Sequence, residues 1–376
     1  MNPVMDLPER VARRRAVDDD RLVTAWSSLS PVVHPDSPVG RGAVLERLLD
    51  RLEPVFTDDL PADFHIYGPS GTGKSAVVVC LFSELSTQLG GARAPIGTTT
   101  RVDGSDRDVQ FVCVDTRRAA SPFRVYRAVL ASVRDESVPE RGVSTEALRA
   151  KLSDELGPHR RLVVALDHLA EPQTPTPARA RALFESVDGP VTTVTISRDD
   201  DEAVPSLSVS AYRDSMLTEV LMSRGSRGLR GGLAQGTAER IADWAEGDAG
   251  DALSALFGAA TIADHEDMPN LSVRHVRRGM EGVPQDGVPV GRVLSLPENR
   301  QAVLDALLEG GASGSIEAIA GSVSAEMDLS TGTVTRFLYE LAEDGILQRV
   351  EIGENEHGPS GVVPRFPTMV YRKLRS

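Results

Sequence analysis

The sequence predicts an α/β fold with a parallel-sheet core, followed by a helical segment and a smaller C-terminal domain. Three observations support this. Short apolar runs alternate with helical patterns up to residue 196, the strand signal then stops, and the last eighty residues read as three helices and a hairpin. Strand–helix alternation of this length is typical of layered α/β domains with a parallel sheet.

Four runs are the predicted strands. They are FHIY (64–67), VQFVCV (109–114), LVVAL (162–166) and VTTVTI (191–196). They are apolar on both faces, as buried parallel strands require. A helix is expected to begin near Arg41, where apolar residues recur at helical spacing, and residues 94–108 are expected to form a surface loop.

Changes in composition divide the chain into five segments. Residues 1–35 hold a basic block and then an acidic block, which indicates a solvated arm. A Pro- and Gly-containing stretch near residue 290 indicates a linker. The predicted segments are the arm 1–35, the core 36–205, a helical lid 206–283, the linker 284–297 and a winged-helix domain 298–376.

Charge and cysteine content limit the class of protein. The chain has 376 residues and a net charge of −14, and its two cysteines exclude a disulfide-stapled secreted fold. We expect no signal peptide and no membrane span, hence a cytoplasmic protein. The acidity argues against a protein that coats nucleic acid. Acidity with only three lysines also favours a halophile, where screening makes net charge a weak guide to partners.

The segment GPSGTGKS (68–75) fits the phosphate-binding pattern G-x-x-x-x-G-K-[ST], with a predicted strand before it and a helix after it. Glycines let backbone N–H groups close around phosphate oxygens, the lysine reaches the terminal phosphates, and the serine binds Mg²⁺. The alternative is a glycine-rich turn that binds nothing. The predicted nucleotide-binding residues are Gly68, Pro69, Ser70, Gly71, Thr72, Gly73, Lys74, Ser75 and Ala76.

Asp167 follows the third predicted strand, where a P-loop protein needs an acidic residue for Mg²⁺. The alternative is an aspartate that only caps the next helix. His168 stands where many P-loop ATPases have a glutamate that polarises water. A neutral imidazole is one candidate base; the simpler hypothesis is slow or absent hydrolysis. Glu171 is expected to point elsewhere.

Longer stretches resemble the archaeal origin-recognition and cell-division-control (ORC/CDC) family of AAA+ replication initiators. They are VGRGAVLERLLDRLEPVF, GPSGTGKS, LVVALDH and DTRRAASPFRVYRAVLASVRDESVPERGVS, with the helical segment and the C-terminal domain. The resemblance covers nearly the whole chain and is that of a divergent, haloarchaeal-type paralogue. It implies a P-loop AAA+ core and lid that bind ATP or ADP with Mg²⁺, and a winged helix that contacts duplex DNA at replication origins.

The resemblance also implies roles for single residues. Tyr212 and Arg224 match a tyrosine and an arginine, twelve residues apart, that lie near the nucleotide in the family. Three turnover positions depart from the family pattern. His168 replaces a glutamate, Ser197–Arg198 replaces an asparagine-type sensor, and Gly250 replaces an arginine. We therefore expect a nucleotide switch with weak or absent ATPase activity.

The predicted DNA-reading helix runs from Thr331 to Asp344 and is capped by Ser330. Val334, Phe337, Leu338 and Leu341 fall on its core face. A wing is expected near residues 351–361, followed by four basic residues. The domain has more acidic than basic residues, so contact with a protein stays an alternative. The predicted DNA-binding residues are Thr331, Thr333, Thr335, Arg336 and Tyr339.

The leading hypothesis is an ATP-binding, DNA-binding initiator of replication that associates with the nucleoid. Duplex DNA is its expected partner, together with a replicative helicase or other initiators. The alternatives are a nucleotide-sensing winged-helix transcription regulator and an active AAA+ enzyme that remodels protein partners.

Overall fold

The computed structural model describes residues 21–57, 59–89, 108–134, 137–157, 159–310, 314–351 and 360–376. These residues form two compact units. One contains residues 34–212, and the other combines residues 21–33 with 213–376. Most of the predicted loop 94–108 and the first twenty residues of the predicted arm lie outside the described residues.

Two helices precede the sheet along the chain. Helix α1 spans Trp26–Leu29 and belongs to the second unit, whereas α2 spans Gly42–Leu52 and belongs to the first. Helix α2 begins one residue after Arg41, as predicted, and its buried residues Leu48 and Leu52 face the core.

The first unit is built on a five-stranded parallel sheet with the strand order β2-β3-β4-β1-β5. The strands are β1 Phe64–Tyr67, β2 Asp108–Asp115, β3 Arg160–Asp167, β4 Val191–Ile196 and β5 Ser206–Ser208. The predicted α/β fold class is confirmed, and four strands lie where the sequence predicts them. Strand β5 falls inside the segment assigned to the lid, so the predicted boundary at 205/206 divides the sheet.

Together with α2, four further helices cover the two faces of this sheet. They are α3 Lys74–Leu89, α4 Pro122–Val133, α5 Thr145–Glu155 and α6 Pro177–Glu185. Alternate residues of β3 point to opposite faces: Leu162, Val164 and Leu166 pack with α4, α5 and α6, whereas Val163 and Ala165 pack with α2 and α3. Apolar residues on both faces thus bury the strand completely, which explains its unbroken hydrophobic pattern.

The second unit is helical up to residue 293. Its helices are α7 Asp214–Gly228, α8 Gln235–Trp244, α9 Ala249–His265, α10 Val273–Glu281 and α11 Val290–Val293. Helix α9 is buried around most of its circumference. The short helix α11 lies within the predicted linker, and its Val290 and Val293 are buried, so this stretch is packed structure.

Residues 21–33 are not part of a solvated arm, which is what the charge blocks before them predict for residues 1–35. Leu22, Val23 and Leu29 are buried, and the amide of Thr24 donates to the carbonyl of Gly228 at 2.9 Å. A methyl group on Gly228 would come within 2.6 Å of Leu29, so this glycine allows α1 to pack closely on α7. Burial of these apolar side chains, which follow the charge blocks, decides that this segment packs.

The remaining elements have the order of a winged-helix plan. They are α12 Glu298–Glu309, α13 Ile316–Glu326, α14 Thr331–Glu343, the antiparallel pair β6 Leu347–Glu351 and β7 Ser360–Pro364, and α15 Thr368–Arg375. Ser330 caps α14, and Val334, Phe337, Leu338 and Leu341 are buried, as predicted. The tip of the predicted wing, 352–359, lies outside the described residues. Helix α15 was not predicted.

Candidate nucleotide and DNA sites

The segment Gly68–Ser75 lies between β1 and α3, which begins at Lys74. Gly71 and Gly73 have φ angles of 63° and 75°, a backbone region that favours glycine. Side-chain-bearing residues would be strained there. The local geometry is therefore the strand–turn–helix arrangement in which N–H groups at a helix N-terminus can face an anion.

Lys74 lies against its own loop. Its Nζ donates to the carbonyl oxygens of Gly68 and Pro69, both at 2.7 Å, and approaches Oγ1 of Thr72 at 3.3 Å. The ammonium group thus stays within the turn that the sequence motif defines. A flexible point charge of this kind can turn from carbonyl oxygens to phosphate oxygens with little change in the backbone.

One wall beside the loop is formed by the chain that follows β5. A methyl group on Gly68 would overlap the carbonyl oxygen of Val209, and one on Gly73 would come within 2.7 Å of the Tyr212 hydroxyl. The guanidinium group of Arg41 lies 3.5 Å from the centroid of the Tyr212 ring. The structure thus brings Tyr212 next to the loop, and it adds Arg41, which the sequence did not single out.

Asp167 ends β3 and is paired in register with Asp115 at the end of β2. Oδ1 of Asp167 accepts the amide of His168 at 2.7 Å, while its Oδ2 lies 3.6 Å from Nε2 of that histidine. Thr116 donates its hydroxyl to the backbone oxygen of Asp167 at 2.6 Å. These contacts fix the backbone and leave the carboxylate without an arginine or lysine partner among the described residues.

His168 and Glu171 contact each other, so the expectation that Glu171 points elsewhere is wrong. His168 has a φ of 62°, which turns the chain so that Nδ1 lies 3.1 Å from Oε1 of Glu171. Burial would lower the pKa of His168, but Asp167 and the hydrogen bond with Glu171 together raise it above 6.5. Burial would raise the pKa of Glu171, yet His168 holds it below its ordinary value.

A second pair lies at the end of β2. Arg117 donates to both carboxylate oxygens of Asp115, at 2.9 and 2.8 Å. Burial would raise the pKa of Asp115, but Arg117 holds it below its ordinary value. Parallel strands end at one edge of the sheet, so an Asp after β2 and an Asp after β3 were the signal that could have revealed this cluster.

The residues after β4 adjoin the start of the loop. The amide of Gly68 donates to the carbonyl of Arg198 at 3.1 Å. Ser197 is buried, and its hydroxyl donates to the carbonyl of Asp199 at 2.6 Å, so it is committed to its own turn. This hydrogen bond fixes the orientation of the Ser197 side chain.

The donor set suits Mg²⁺, which prefers a few protein oxygens together with water and phosphate. The Ser75 hydroxyl makes no hydrogen bond with another residue of the described ranges, and the Asp167 carboxylate is 5% exposed. Within those ranges, no group of three or more His, Cys, Asp or Glu side chains could hold a metal ion alone. A metal at this site would thus depend on a ligand that supplies further oxygens.

In the second unit, Arg224 is buried and donates to the backbone oxygens of Ser28 and Val33, at 3.2 and 2.6 Å. It therefore ties α7 to residues 21–33. Gly250 lies in the first turn of α9, and a methyl group there would meet only Oδ1 of Asp248, at 3.0 Å. The space at position 250 is open to a side chain.

The outward face of α14 carries the predicted DNA-binding residues. Thr331 contacts Ser324 at 3.0 Å, Thr333 contacts Ser330 at 2.9 Å, and the Thr335 hydroxyl donates to the backbone of Thr331. Arg336 is 65% exposed, with Glu340 at 3.8 Å. The guanidinium of Arg349 lies 5.4 Å from the ring centroid of Tyr339. Hydroxyl oxygens and one arginine are thus presented together on one face.

The basic residues that follow the hairpin are committed to internal contacts. Arg365 donates to the backbone of Asp286, Arg372 to that of Leu308, and Arg375 forms an ion pair with Asp305 at 2.8 Å. Lys373 lies 4.4 Å from the ring centroid of Trp26. These side chains stabilise the second unit, which sets them apart from the exposed Arg336.

In the described part of the chain, no helix has the length and apolar character needed to span a bilayer.

Comparisons with known proteins agree with this architecture. The family model described as an AAA ATPase domain matches residues 37–196. The chain is 24% identical over 304 residues to the ORC1-type DNA replication protein 1 of Sulfurisphaera tokodaii, covering 75% of this chain and 72% of that protein. It is 26% identical to the ORC1-type DNA replication protein of Pyrococcus furiosus, covering 85% and 78%. For the ORC1-type DNA replication protein 5 of Halobacterium salinarum, the identity is 23% and the coverage 68% and 64%.

Solved structures establish the same fold. The ORC1 protein of Aeropyrum pernix in complex with DNA superposes with a TM-score of 0.61 at 21% identity, covering 94% of this chain and 96% of that one. Cdc6p of Pyrobaculum aerophilum gives a TM-score of 0.55 at 16% identity, covering 94% and 99%. At 94% coverage, each match extends over residues of both compact units.

Proposed function

We propose that this chain is an ATP-binding AAA+ protein of the archaeal ORC1-type family, which binds duplex DNA and acts in the initiation of DNA replication. The observation that carries the proposal is the Gly68–Ser75 turn, with its left-handed glycines and inward Lys74, at the same edge of the parallel sheet as the acidic end of β3. The relatives are named as replication proteins, and one of the solved structures with the same fold contains DNA.

In this proposal the nucleotide is ATP or ADP with Mg²⁺. Backbone N–H groups of the Gly68–Ala76 segment hold the phosphates, and Lys74 binds the terminal ones. Ser75 and Asp167 hold the metal, which neutralises phosphate charge when it is bound. Tyr212 also belongs to the site, and its contact with Gly73 supports its part. The role of Arg224, which lies in the other unit and donates to Ser28 and Val33, stays a prediction.

We expect nucleotide to act as a switch with weak or absent hydrolysis. The position after Asp167 is a histidine whose Nδ1 is engaged by Glu171, and position 250 has no cation. Loss of a phosphate-directed arginine costs orders of magnitude in comparable NTPases. Steady-state turnover is the test: rapid ATP hydrolysis that disappears on His168→Ala would contradict this expectation.

DNA binding is assigned to the exposed face of α14, with Thr331, Thr333, Thr335, Arg336 and Tyr339. A helix after a tight turn in this domain type enters the major groove, where hydroxyls and arginine contact phosphates and base edges. The internal commitments of Arg372, Lys373 and Arg375 favour α14 over α15 as the contact surface. A replicative helicase and other initiators are the protein partners that we expect beside DNA.

The first experiment measures nucleotide binding. Lys74→Ala should weaken binding of a fluorescent ADP analogue at least a hundredfold, because the side chain is the one flexible cation of the motif. Lys151→Ala on α5 is the matched control, since it removes an exposed lysine elsewhere, and it should bind as the wild type does. Equal affinity in wild type and Lys74→Ala would refute the nucleotide assignment.

The second experiment addresses DNA. Arg336→Ala should weaken duplex binding by about 1–3 kcal/mol and reduce the salt dependence if the contact is to phosphate. Arg277→Ala, an exposed arginine on α10, is the control. Chromatin immunoprecipitation then separates the two candidate roles: enrichment at replication origins supports initiation, whereas enrichment only at promoters would establish a transcription regulator instead.

A further inference from the structure

Arg41 is a buried arginine without a carboxylate partner. It is 5% exposed, and the described residues include no acidic side chain within ion-pair distance of it. Its Nη2 donates to the carbonyl of Ser210 at 2.9 Å, and its Nε is buried with no acceptor. The guanidinium plane instead faces Tyr212, at 3.5 Å from the ring centroid.

This arrangement is costly for the fold. Charged groups lose several kcal/mol when they leave water, and a buried donor without an acceptor costs about 1–3 kcal/mol. One carbonyl oxygen and a cation–π contact of about 2 kcal/mol offset part of that cost. An apolar side chain of similar size would fill the same space without the cost of burying a charge. Stability alone therefore does not explain an arginine at this position.

The geometry shows what the arginine holds in place. Tyr212 is 8% exposed, and its hydroxyl lies against Gly73, one residue before Lys74. Arg41 stacks on the ring and also binds the backbone two residues earlier, at Ser210. Arg41 thus contacts both the face of the Tyr212 ring and the backbone of Ser210, and so holds the ring beside the P-loop.

We propose that Arg41 is a positioning residue of the nucleotide site, which acts through Tyr212 and trades folding stability for nucleotide affinity. The inference rests on the proposed nucleotide binding at Gly68–Ser75. The N-terminus of α2 thereby contributes to nucleotide affinity, because Arg41 is the N-cap residue of that helix. Proteins often retain destabilising groups where a binding site requires them.

The test compares Arg41→Met with Arg41→Lys, and uses Arg47→Met as the matched control. Arg47 lies on the same helix and also donates to a backbone carbonyl, that of Ser208 at the end of β5, but it is exposed and stacks on no ring among the described residues. Equilibrium titration and dissociation rates of fluorescent ADP and ATP analogues are measured, together with the melting temperature of the nucleotide-free protein.

Arg41→Met should raise the Kd about tenfold, mainly through faster dissociation, while the melting temperature stays equal or rises. Arg41→Lys should be intermediate, because it keeps the charge and loses the planar face. Arg47→Met should stay within twofold of wild type. Adding Arg41→Met to Tyr212→Leu should cause little further loss, since both changes remove one interaction.

Three results would overturn the inference. They are an unchanged Kd in Arg41→Met, a lower melting temperature with a Kd change matched by Arg47→Met, or strictly additive losses in the double variant. The proposed function is tested separately by Lys74→Ala. If that change abolishes binding while Arg41→Met does not weaken it, only the role of Arg41 fails; if the wild type binds no nucleotide, both fail.

Discussion

Gly68 is the single residue at which the P-loop backbone is most constrained. Its φ is 149°, and a methyl group there would overlap the carbonyl oxygen of Val209. Gly68→Ala should therefore destabilise the protein by about 1–3 kcal/mol and abolish nucleotide binding, because the backbone must shift. Urea unfolding and nucleotide titration measure the two effects.

Gly42→Ala provides the comparison for Gly68→Ala. Gly42 is the first residue of α2, its φ is not positive, and a methyl group there would meet nothing within 4 Å. This change should leave nucleotide affinity unaltered and stabilise the helix by up to about 1 kcal/mol. A Gly68→Ala protein as stable as Gly42→Ala would show that the turn is less constrained than its geometry indicates.

The residues of the candidate site differ in how well the sequence predicts them. Gly68–Ser75 and Asp167 are predictable because a motif is local: spacing along the chain fixes spacing in space. Glu171 was misjudged, since the positive φ of His168 turns the chain and brings the two side chains together. Arg41 meets Tyr212 only through the fold, so no sequence pattern marks it.

At the scale of elements, the first turn of α9 contains a carboxyl group, that of Asp251, whose titration should be measurable. Burial, together with the charge of the neighbouring Asp248, raises the pKa of Asp251 from 3.8 to about 7. A raised carboxyl pKa means that the folded state holds the proton more tightly. The stability of the wild type should therefore fall as pH rises from about 4 to about 7, and the penalty should stay constant above that range.

Asp251→Asn removes this penalty. The variant should match the wild type near pH 4 and be more stable at pH 8, by at most about 4 kcal/mol given the size of the pKa difference. The difference in unfolding free energy between the two proteins, measured by urea at several pH values, isolates this carboxyl from all others. A difference that does not change between pH 4 and 8 would contradict the assignment.

Strands and helices also differ in how well the sequence predicts them. Strands β1 to β4 are predictable because burial on both faces leaves continuous apolar runs. Strand β5 has three residues, too few for a pattern, and exists because its backbone pairs with β1. Helix α15 reads as a basic tail, yet Val370 and Tyr371 are buried, and these two contacts decide that the segment folds.

For the whole molecule, the sequence cannot show that the described N-terminal segment joins the C-terminal half. That grouping depends on contacts between residues about two hundred positions or more apart, such as Thr24 with Gly228. The alternating charge blocks of residues 10–20 suggest a solvated segment, whereas a few apolar side chains after them determine the packing. Long-range pairing of this kind leaves no periodic signal for a local pattern to detect.

Within this unit, a contact between distant parts of the sequence joins Trp26 on α1 to Lys373 on α15. The ammonium group lies 4.4 Å from the indole centroid, and the ring also packs on Phe257 of α9 at 5.1 Å. Cation–π contacts at partly exposed sites contribute about 0.5–1 kcal/mol. Lys373→Ala should thus lower the unfolding free energy of this unit by about that amount, and Trp26→Ala by more, because it also removes the packing on Phe257.

A double-mutant cycle separates the cation–π term from the packing term. The coupling between Trp26→Ala and Lys373→Ala should be about 0.5–1 kcal/mol, whereas Trp26→Ala and Lys151→Ala should be additive, since Lys151 lies in the other unit. Both tryptophans, Trp26 and Trp244, belong to the measured unit, so intrinsic fluorescence of Trp244 follows its unfolding in every variant. Additivity between Trp26 and Lys373 would mean that the cation–π contact adds nothing to the stability of this unit, and that α15 is held by its other contacts, such as those of Val370, Tyr371 and Arg375.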